Sequence, residues 1–157
     1  MRKFEKISIE QYEKDLKEKC EYSDITLPSR STKHSAGYDF KSPIEFELKP
    51  GEIIKVPTGI KAAMNDDEFL AILVRSSMGF KYNIRLCNQV GIIDSDYYNN
   101  PNNEGHMWIA LQNHGDKVYS VKAGESFGQG LFMKYYVVDD EDIIKEDRIG
   151  GFGSTNK

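Results

Sequence analysis

The sequence is poor in cysteine, with only Cys20 and Cys87 among 157 residues. So few thiols exclude a disulfide framework and are typical of a reducing compartment. No C-x-x-C pair is present, and His34, His106 and His114 have no usual zinc-ligand spacing with either cysteine. The sequence therefore predicts neither a disulfide-stabilised fold nor a structural zinc site.

Long apolar runs and an excess of basic residues are also missing. No apolar stretch approaches the roughly 18 residues that a membrane-spanning helix needs, and the first six residues lack the apolar core of a signal peptide. Lys and Arg total 21 against 25 for Asp and Glu, a net charge of −4, so the basic surface typical of nucleic-acid binding is absent. We expect a cytoplasmic protein with no membrane and no direct nucleic-acid partner.

The N-terminal segment, residues 1–20, is the part of the chain with a helical pattern. Ser8 to Gln11 has the pattern of a capping box, in which the serine hydroxyl and the glutamine side chain each bind the other residue's amide. Tyr12 and Leu16 then share one helical face. The pattern predicts a helix over about residues 8–19 and favours an arm packed on the main body over a partner-binding helix.

Residues 25–138 lack helical signals and contain many short apolar segments separated by Gly, Pro, Asn and Asp. The strand candidates are Ile44–Leu48, Ile53–Val56, Phe69–Val74, Met107–Leu111, Val118–Lys122 and Leu131–Val138. This spacing is typical of an all-β barrel or sandwich. Residues 139–157 are charged and then glycine-rich, which predicts a flexible tail. We therefore expect one domain over residues 1–157, made of a helical arm, a β-barrel and a tail.

Four segments contain polar residues and glycines that a plain β-barrel does not need. Ser35–Phe40 places an Asp between two aromatics, which alone indicates a turn. Arg75–Lys81 offers a guanidinium and two hydroxyls, either a phosphate clamp or an ordinary polar turn. Asn88–Tyr98 puts Asp94 at a strand end, as a general base, a metal ligand or a turn-capping residue. Gly150–Thr155 is either an anion-binding nest or a disordered tail.

In their order and spacing, these segments resemble the five motifs of the trimeric deoxyuridine triphosphatase (dUTPase) family across residues 35–155. The matching segments are Ala36–Phe40, Arg75–Ser77, Asn88–Tyr97, Gly124–Gln129 and Gly150–Thr155. The stretch Asp96–Gly105 resembles the bacterial and phage branch. The resemblance implies a jelly-roll-like distorted β-barrel, a homotrimer with active sites shared between chains, and hydrolysis of dUTP to dUMP and pyrophosphate with Mg²⁺. That reaction limits uracil in DNA and supplies dUMP for dTMP synthesis.

The resemblance also implies a role for each matching residue. Asp94 is expected to be the general base that activates water for attack on the α-phosphorus, and Asp39 to reach Mg²⁺ through water, with the ion held mainly by the phosphates. The expected phosphate-binding residues are Arg75, Ser76, Ser77, Gln129, Arg148, Gly153, Ser154 and Thr155. The expected uracil and deoxyribose residues are Asn88, Gly91, Ile92, Ile93, Asp94, Tyr97, Trp108 and Phe152. The tail is expected to act as a lid that orders with nucleotide.

Several departures from the family pattern, among them a shortened Arg148–Gly150 segment, and two alternatives accompany this interpretation. Ser126 stands where many members have Arg, and Tyr98–Glu104 lengthens the hairpin after Asp94. The related dCTP deaminases share the fold, but they lack the Phe-Gly-Ser-Thr lid and need a catalytic Glu where Asp94 stands. Some phage dUTPases also bind a repressor, and the N-terminal helix together with Tyr98–Glu104 is the candidate surface for such a regulatory protein partner.

Overall fold

The computed structural model of the chain describes residues 1–141 and Arg148. In this part the α-helices are α1 (Ile9–Asp15) and α2 (Ser76–Tyr82), and short 3-10 helices span Tyr22–Asp24 and Ser95–Tyr97. The strands are β1 (Lys3–Lys6), β2 (Tyr38–Lys41), β3 (Phe46–Leu48), β4 (Ile53–Pro57), β5 (Ile60–Ala63), β6 (Glu68–Leu73), β7 (Ile84–Leu86), β8 (Gly91–Asp94), β9 (Trp108–Asn113), β10 (Tyr119–Val121) and β11 (Ser126–Lys134).

The described strands form four sheets whose neighbours pair antiparallel. The largest has the order β2-β11-β6-β8, a second has the order β4-β9-β7, and two are pairs, β1-β5 and β3-β10. Strands distant in sequence are therefore neighbours in space. Strand β8 lies at the edge of its sheet, so one row of its backbone N–H and C=O groups faces away from β6.

The core lies between the sheets and is built by the inward side chains of alternating strands. Strand β3 shows the pattern, with Phe46 and Leu48 buried and Glu47 exposed. Phe40 and Phe127 are fully buried at the centre. Since side chains alternate between the two faces of a strand, the alternation in the sequence is enough to predict which face is buried.

The predicted strand segments are confirmed as strands, with ends that shift by a few residues. The largest difference is at Leu131–Val138, since β11 begins five residues earlier at Ser126 and ends at Lys134. Tyr136 and Val138 beyond it are exposed. The apolar character of that stretch therefore extended the prediction past the last paired residue.

Helix α2 was not predicted, and the expectation that helical signals stop after residue 25 is wrong. The helix begins directly after Arg75 and ends before Asn83, which has a left-handed backbone with φ of 51°. Met78 is its one buried residue, and Gly79 is a poor helix former. Seven residues with a single buried side chain leave no apolar periodicity for a sequence pattern to show.

The predicted N-terminal helix is real but shorter than expected, since it ends at Asp15 and not near residue 19. Ser8 caps it by accepting the amide of Gln11 at 3.1 Å. The side chain of Gln11 does not complete the capping box, because its Nε2 donates to Oδ2 of Asp15 at 2.8 Å. Only the first half of the predicted capping box is therefore formed.

The N-terminal arm is also part strand. Residues Lys3–Lys6 pair antiparallel with β5, a partner nearly 60 residues further along the chain. Tyr12 and Leu16 of the arm are buried in the common core. The expectation that the arm packs on the main body is confirmed. Strand β1 was not predicted, because it forms through a long-range pairing with β5 that no local pattern shows.

Candidate active site

A cavity of about 820 Å³ lies between the edge strand β8 and strand β9. This volume is in the range of sites for small molecules. It is called here the Asp94 cavity. It is lined by every described residue that was predicted to bind uracil or deoxyribose, namely Asn88, Gly91, Ile92, Ile93, Asp94, Tyr97 and Trp108. The remaining member of that prediction, Phe152, lies outside the described residues.

Asp94 is the last residue of β8, where the chain leaves the sheet and enters a 3-10 helix. Its side chain is half exposed, and its Oδ2 lies 2.6 Å from Nη2 of Arg148. Nε of the same arginine lies 2.7 Å from Oδ1 of Asp96. Arg148 thus bridges two carboxylates on either side of Ser95, and the predicted base stands at the cavity in a charge-assisted ion pair.

Tyr97 forms part of the cavity wall and is held at its hydroxyl. That group donates to the backbone carbonyl of His106 at 3.0 Å and accepts from Nδ2 of Asn103 at 2.8 Å. Burial raises the pKa of Tyr97, so the hydroxyl remains a neutral donor. The guanidinium carbon of Arg148 lies 5.9 Å from the ring centroid. The ring therefore has a defined position beside Asp94.

His106 is fully buried behind this wall and links it to α1. Its Nε2 accepts the amide of Gly59 at 2.9 Å, and its Nδ1 lies 2.6 Å from Oδ2 of Asp15. Because Nε2 accepts, the ring proton of the neutral imidazole is on Nδ1 and is donated to the carboxylate. Burial lowers the pKa of His106 more than the neighbouring Asp15 raises it.

A second cavity, of about 450 Å³, contains Arg75, Ser76 and Gln129 and is called here the Arg75 cavity. Nε of Arg75 lies 3.1 Å from Oδ1 of Asp39, and Oγ of Ser31 donates to the other carboxylate oxygen at 2.6 Å. The side chain of Asp39 is mostly buried. These contacts fix the arginine at the edge of the cavity with its remaining N–H donors available for an anion.

Gln129 also lines the Arg75 cavity, and its side chain is oriented by contacts within the chain. Its Nε2 donates to the backbone carbonyl of Val74 at 3.0 Å. Gly37 packs against its side-chain amide so closely that a β-carbon at position 37 would overlap Oε1. The glycine of the first motif therefore makes room for the glutamine of the fourth motif.

The two cavities share no lining residue among those that the structure describes. Of the predicted phosphate-binding residues, Ser77 lies in α2 and lines neither cavity. Arg148 lies at the Asp94 cavity instead of beside Arg75. Gly153, Ser154 and Thr155 lie outside the described residues. Apart from Arg148 and Ser77, one chain therefore presents the described residues predicted to bind the nucleoside and those predicted to bind phosphate as two separate sets.

Seven residues that line the Asp94 cavity were not predicted from the sequence: the apolar Ile72, Leu86 and Ala110, and the polar or ionisable Asp15, Lys55, Cys87 and Asn103. Asp15 comes from the N-terminal helix, and its contact with His106 spans 91 residues of sequence. Cys87 directly precedes the predicted Asn88, so its place at the cavity could have been inferred from the sequence. For Asp15, Lys55 and Asn103, no local signal pointed to a place at this cavity.

Within residues 1–141 and Arg148, no cluster of three or more His, Cys, Asp or Glu side chains could hold a metal ion. Asp39, the predicted outer partner of Mg²⁺, already uses both carboxylate oxygens on Arg75 and Ser31. Mg²⁺ commonly keeps several waters and is bound through substrate phosphates with one or two carboxylates. The described residues fit an ion of that kind and do not form an all-protein cage.

A family model described as dUTPase matches residues 23–156 of the chain. The chain belongs to the dUTPase family. The deoxyuridine 5'-triphosphate nucleotidohydrolase of Lactococcus lactis subsp. lactis is 48% identical to it over 138 residues, which are 87% of this chain and 92% of the relative. That of Shewanella woodyi is 36% identical over 139 residues, which are 83% of this chain and 87% of the relative.

Solved dUTPase structures have the same fold as this chain. The crystal structure of dUTPase from Streptococcus mutans superposes with a TM-score of 0.70 and 40% identity, over 87% of this chain and 98% of that one. A mutant dUTPase from phage phi11 of S. aureus, described with the coordination of a structural Mg(II) ion, gives a TM-score of 0.67 over 91% and 96%. At 15% identity, this second likeness shows the fold alone.

These comparisons confirm the family, the jelly-roll-like fold class and the enzyme class that the sequence predicted for this dUTPase family member. In the described part, no helix has the length and apolar content needed to cross a membrane.

The candidate partner surface of the arm and Tyr98–Glu104 is engaged in part in contacts within the chain, whereas Ile9, Glu10 and Glu13 of α1 are exposed. Tyr98 bonds Glu5, and Glu104 bonds Ser8 and lies 3.3 Å from Nζ of Lys61. A regulatory partner stays a prediction.

Proposed function

We propose that this chain hydrolyses dUTP to dUMP and pyrophosphate, with Asp94 as the general base. The observation that carries the proposal is the position of Asp94 at the open end of the edge strand β8, in one cavity with Asn88 and Tyr97. The water oxygen forms a bond to the α-phosphorus, its proton passes to the Asp94 carboxylate, and the bond from the α-phosphorus to the bridging oxygen breaks. A positioned base of this kind contributes about 10²–10⁴-fold to the rate.

The edge position of β8 supports recognition of uracil by the backbone. The outer row of N–H and C=O groups along Gly91–Asp94 faces away from β6 and is available to a ligand in the Asp94 cavity. Uracil presents an acceptor, a donor and an acceptor on one edge, which an extended strand matches, whereas cytosine reverses part of that pattern. A mismatched edge leaves buried groups unpaired and is discriminated by up to about 10⁴–10⁵.

Tyr97 supports recognition of the deoxyribose. Its ring is buried and fixed at the hydroxyl by Asn103 and the carbonyl of His106. A rigid aromatic face packed against the sugar leaves no room for a 2′-hydroxyl. This subsite would then separate dUTP from UTP.

The Arg75 cavity supports phosphate binding. Arg75, Ser76 and Gln129 offer the planar fork, the hydroxyl and the amide that suit phosphate oxygens. Mg²⁺ carried by the triphosphate would neutralise part of its negative charge, and Asp39, which lines this cavity, is the residue that would bind the ion through water. Arg148 would be a further phosphate-binding residue if the triphosphate competes with Asp94 and Asp96 for its guanidinium.

The separation of the two cavities supports an assembly in which chains share active sites. In a single chain, Asp94 lines one cavity and Arg75 lines the other, and the two cavities have no lining residue in common. In a homotrimer with cyclic symmetry, the Asp94 cavity of one chain would face the Arg75 cavity of its neighbour. The tail residues Phe152–Thr155 would come from the third chain as a lid. Free Cys20 and Cys87 are compatible with the proposed cytoplasmic location.

Pyrophosphate release from dUTP, dCTP, dTTP and UTP, each with and without Mg²⁺, tests the reaction. Release from dUTP alone, dependent on Mg²⁺, supports the proposal. Release from none of the four nucleotides by the folded protein would overturn the proposal. It would favour the alternative hypothesis that the protein binds a regulatory protein partner.

Coexpression of two inactive variants tests the shared site. Asp94→Asn and Arg75→Ala chains should each be inactive alone. If every site combines two chains, random mixing restores about one quarter of the sites. If both cavities of one chain form one site, the mixture stays inactive. A mixture of Asp94→Asn with wild-type chains provides the control for assembly.

A further inference from the structure

Helix α1 contributes to the Asp94 cavity although it lies outside residues 23–156, the part matched by the family model. Asp15, its last residue, is one of the cavity-lining residues. Lys19, four residues later, places its ammonium 5.0 Å from the ring centroid of Trp108 on the same wall. The N-terminal arm therefore adds a component to the nucleotide site that the family core does not contain.

Asp15 is placed by two donors and in turn places His106. Its Oδ2 accepts from Nε2 of Gln11 at 2.8 Å and from Nδ1 of His106 at 2.6 Å. The other ring nitrogen of His106 accepts the amide of Gly59 at 2.9 Å. The imidazole is fully buried and bonded at both nitrogens, so its ring orientation and tautomer are both determined.

His106 in turn places Tyr97 through its backbone. Its carbonyl accepts the Tyr97 hydroxyl at 3.0 Å, and Asn103 donates to the same hydroxyl at 2.8 Å. A movement of the His106 ring therefore displaces the acceptor that holds the tyrosine. The contacts run without a gap from Asp15 through His106 to Tyr97 at the cavity.

We propose that Asp15 is a positioning residue for the sugar subsite: through His106 it holds Tyr97 in the place that excludes a 2′-hydroxyl. The proposal rests on the function proposed above for Tyr97. Asp15 acts on sugar selection and not on the chemical step, since Asp94 and its partner Arg148 make no contact with it in the described contacts.

Removal of the carboxylate leaves a buried imidazole N–H without its charged acceptor. The expected relaxation moves the His106 carbonyl and loosens Tyr97. The loss of one charge-assisted bond in such a chain corresponds to about a tenfold loss of selectivity. Asp15→Ala should show this loss in full. Asp15→Asn keeps the shape and an amide oxygen that can accept both donors, as Oδ2 does, but it loses the charge, so its loss should be smaller.

Trp108 provides a readout that does not depend on turnover. It is the one tryptophan of the chain, it lines the cavity, and its ring lies 5.5 Å from that of His106. Titration of its fluorescence with dUMP and with UMP gives the ratio of the two dissociation constants. Glu13→Ala is the matched control, because Glu13 is on the same helix, is exposed and contacts Lys17 at 3.8 Å.

Wild-type protein and Glu13→Ala should prefer dUMP over UMP by the same ratio. Asp15→Ala should lower that ratio by about tenfold. An unchanged ratio in folded Asp15→Ala and Asp15→Asn would overturn the positioning role and leave the proposed function intact. Absence of any dUMP preference in the wild-type protein would overturn the proposed function, and the role of Asp15 with it.

Discussion

Nη2 of Arg148 lies 2.6 Å from Oδ2 of Asp94, so the residue expected to bind phosphate is paired with the residue expected to activate water. The same guanidinium reaches Asp96 through Nε at 2.7 Å. A guanidinium binds carboxylates and phosphates with the same planar fork. Arrival of a triphosphate would therefore compete for Arg148 and release the Asp94 carboxylate to accept a proton from water.

Asp94→Asn should lower turnover of dUTP by about 10²–10⁴-fold, because an amide cannot accept the proton of the attacking water. Binding of dUMP should stay within about threefold, since the shape of the cavity is kept. Pyrophosphate release and dUMP titration measure the two effects. Asp96→Asn is the matched control, because Asp96 shares Arg148 and is absent from the cavity lining. Equal losses in both variants would contradict the assignment of the base to Asp94.

Gly37→Ala should lower turnover by about 10²-fold with little loss of stability. The new β-carbon would overlap Oε1 of Gln129, and this flexible side chain can move away only by leaving its place in the Arg75 cavity. Gly79→Ala is the control, since nothing lies within 4 Å of its β-carbon position and alanine favours α2. Steady-state kinetics and thermal unfolding check both variants, and full activity in Gly37→Ala would argue against a role for Gln129.

Cys87 should react with iodoacetamide before Cys20, and dUMP should slow its reaction. Cys87 is exposed and lines the Asp94 cavity, whereas Cys20 is partly buried and burial raises the pKa of its thiol. A higher pKa leaves less reactive thiolate at neutral pH. Mass spectrometry of peptides labelled over time measures both rates. Equal labelling of Cys87 with and without dUMP would place the nucleotide elsewhere.

Stability should decline on acidification through His106. Burial holds the pKa of His106 below its ordinary value of 6.5. At a pH between the folded-state and the unfolded-state pKa, the unfolded chain therefore binds a proton at this residue and the folded chain does not. Above pH 6.5, the contribution of this group to the free energy of unfolding is present in full. It falls as the pH decreases toward the folded-state pKa, and no further loss follows below it.

Urea unfolding between about pH 5 and pH 8 measures this dependence. His106→Gln should show a flatter profile, whatever its absolute stability. His114→Gln, at an exposed histidine bonded to Gln112, should keep the wild-type profile. A wild-type slope in His106→Gln would assign the effect to other groups.

Local patterns were sufficient for the six strand segments predicted from the sequence and for most of the described site residues. Alternation as in Phe46-Glu47-Leu48 records which face of a strand is buried, and this property depends only on neighbours in sequence. The motif residues Asn88, Asp94 and Tyr97 were recognisable for a similar reason. They lie within ten residues of one another, and β8 with its following 3-10 helix brings them to one cavity.

The sequence by itself determined the all-β class, the family motifs and the identity of the expected base. Only the tertiary structure decided three further features: the pairing of β1 with β5, the separation of the Asp94 and Arg75 cavities, and the contact of Asp15 with His106. Each depends on which distant segments pack together. Such packing is set by shape and hydrogen-bond partners across the whole core, and no stretch of neighbouring residues contains that information.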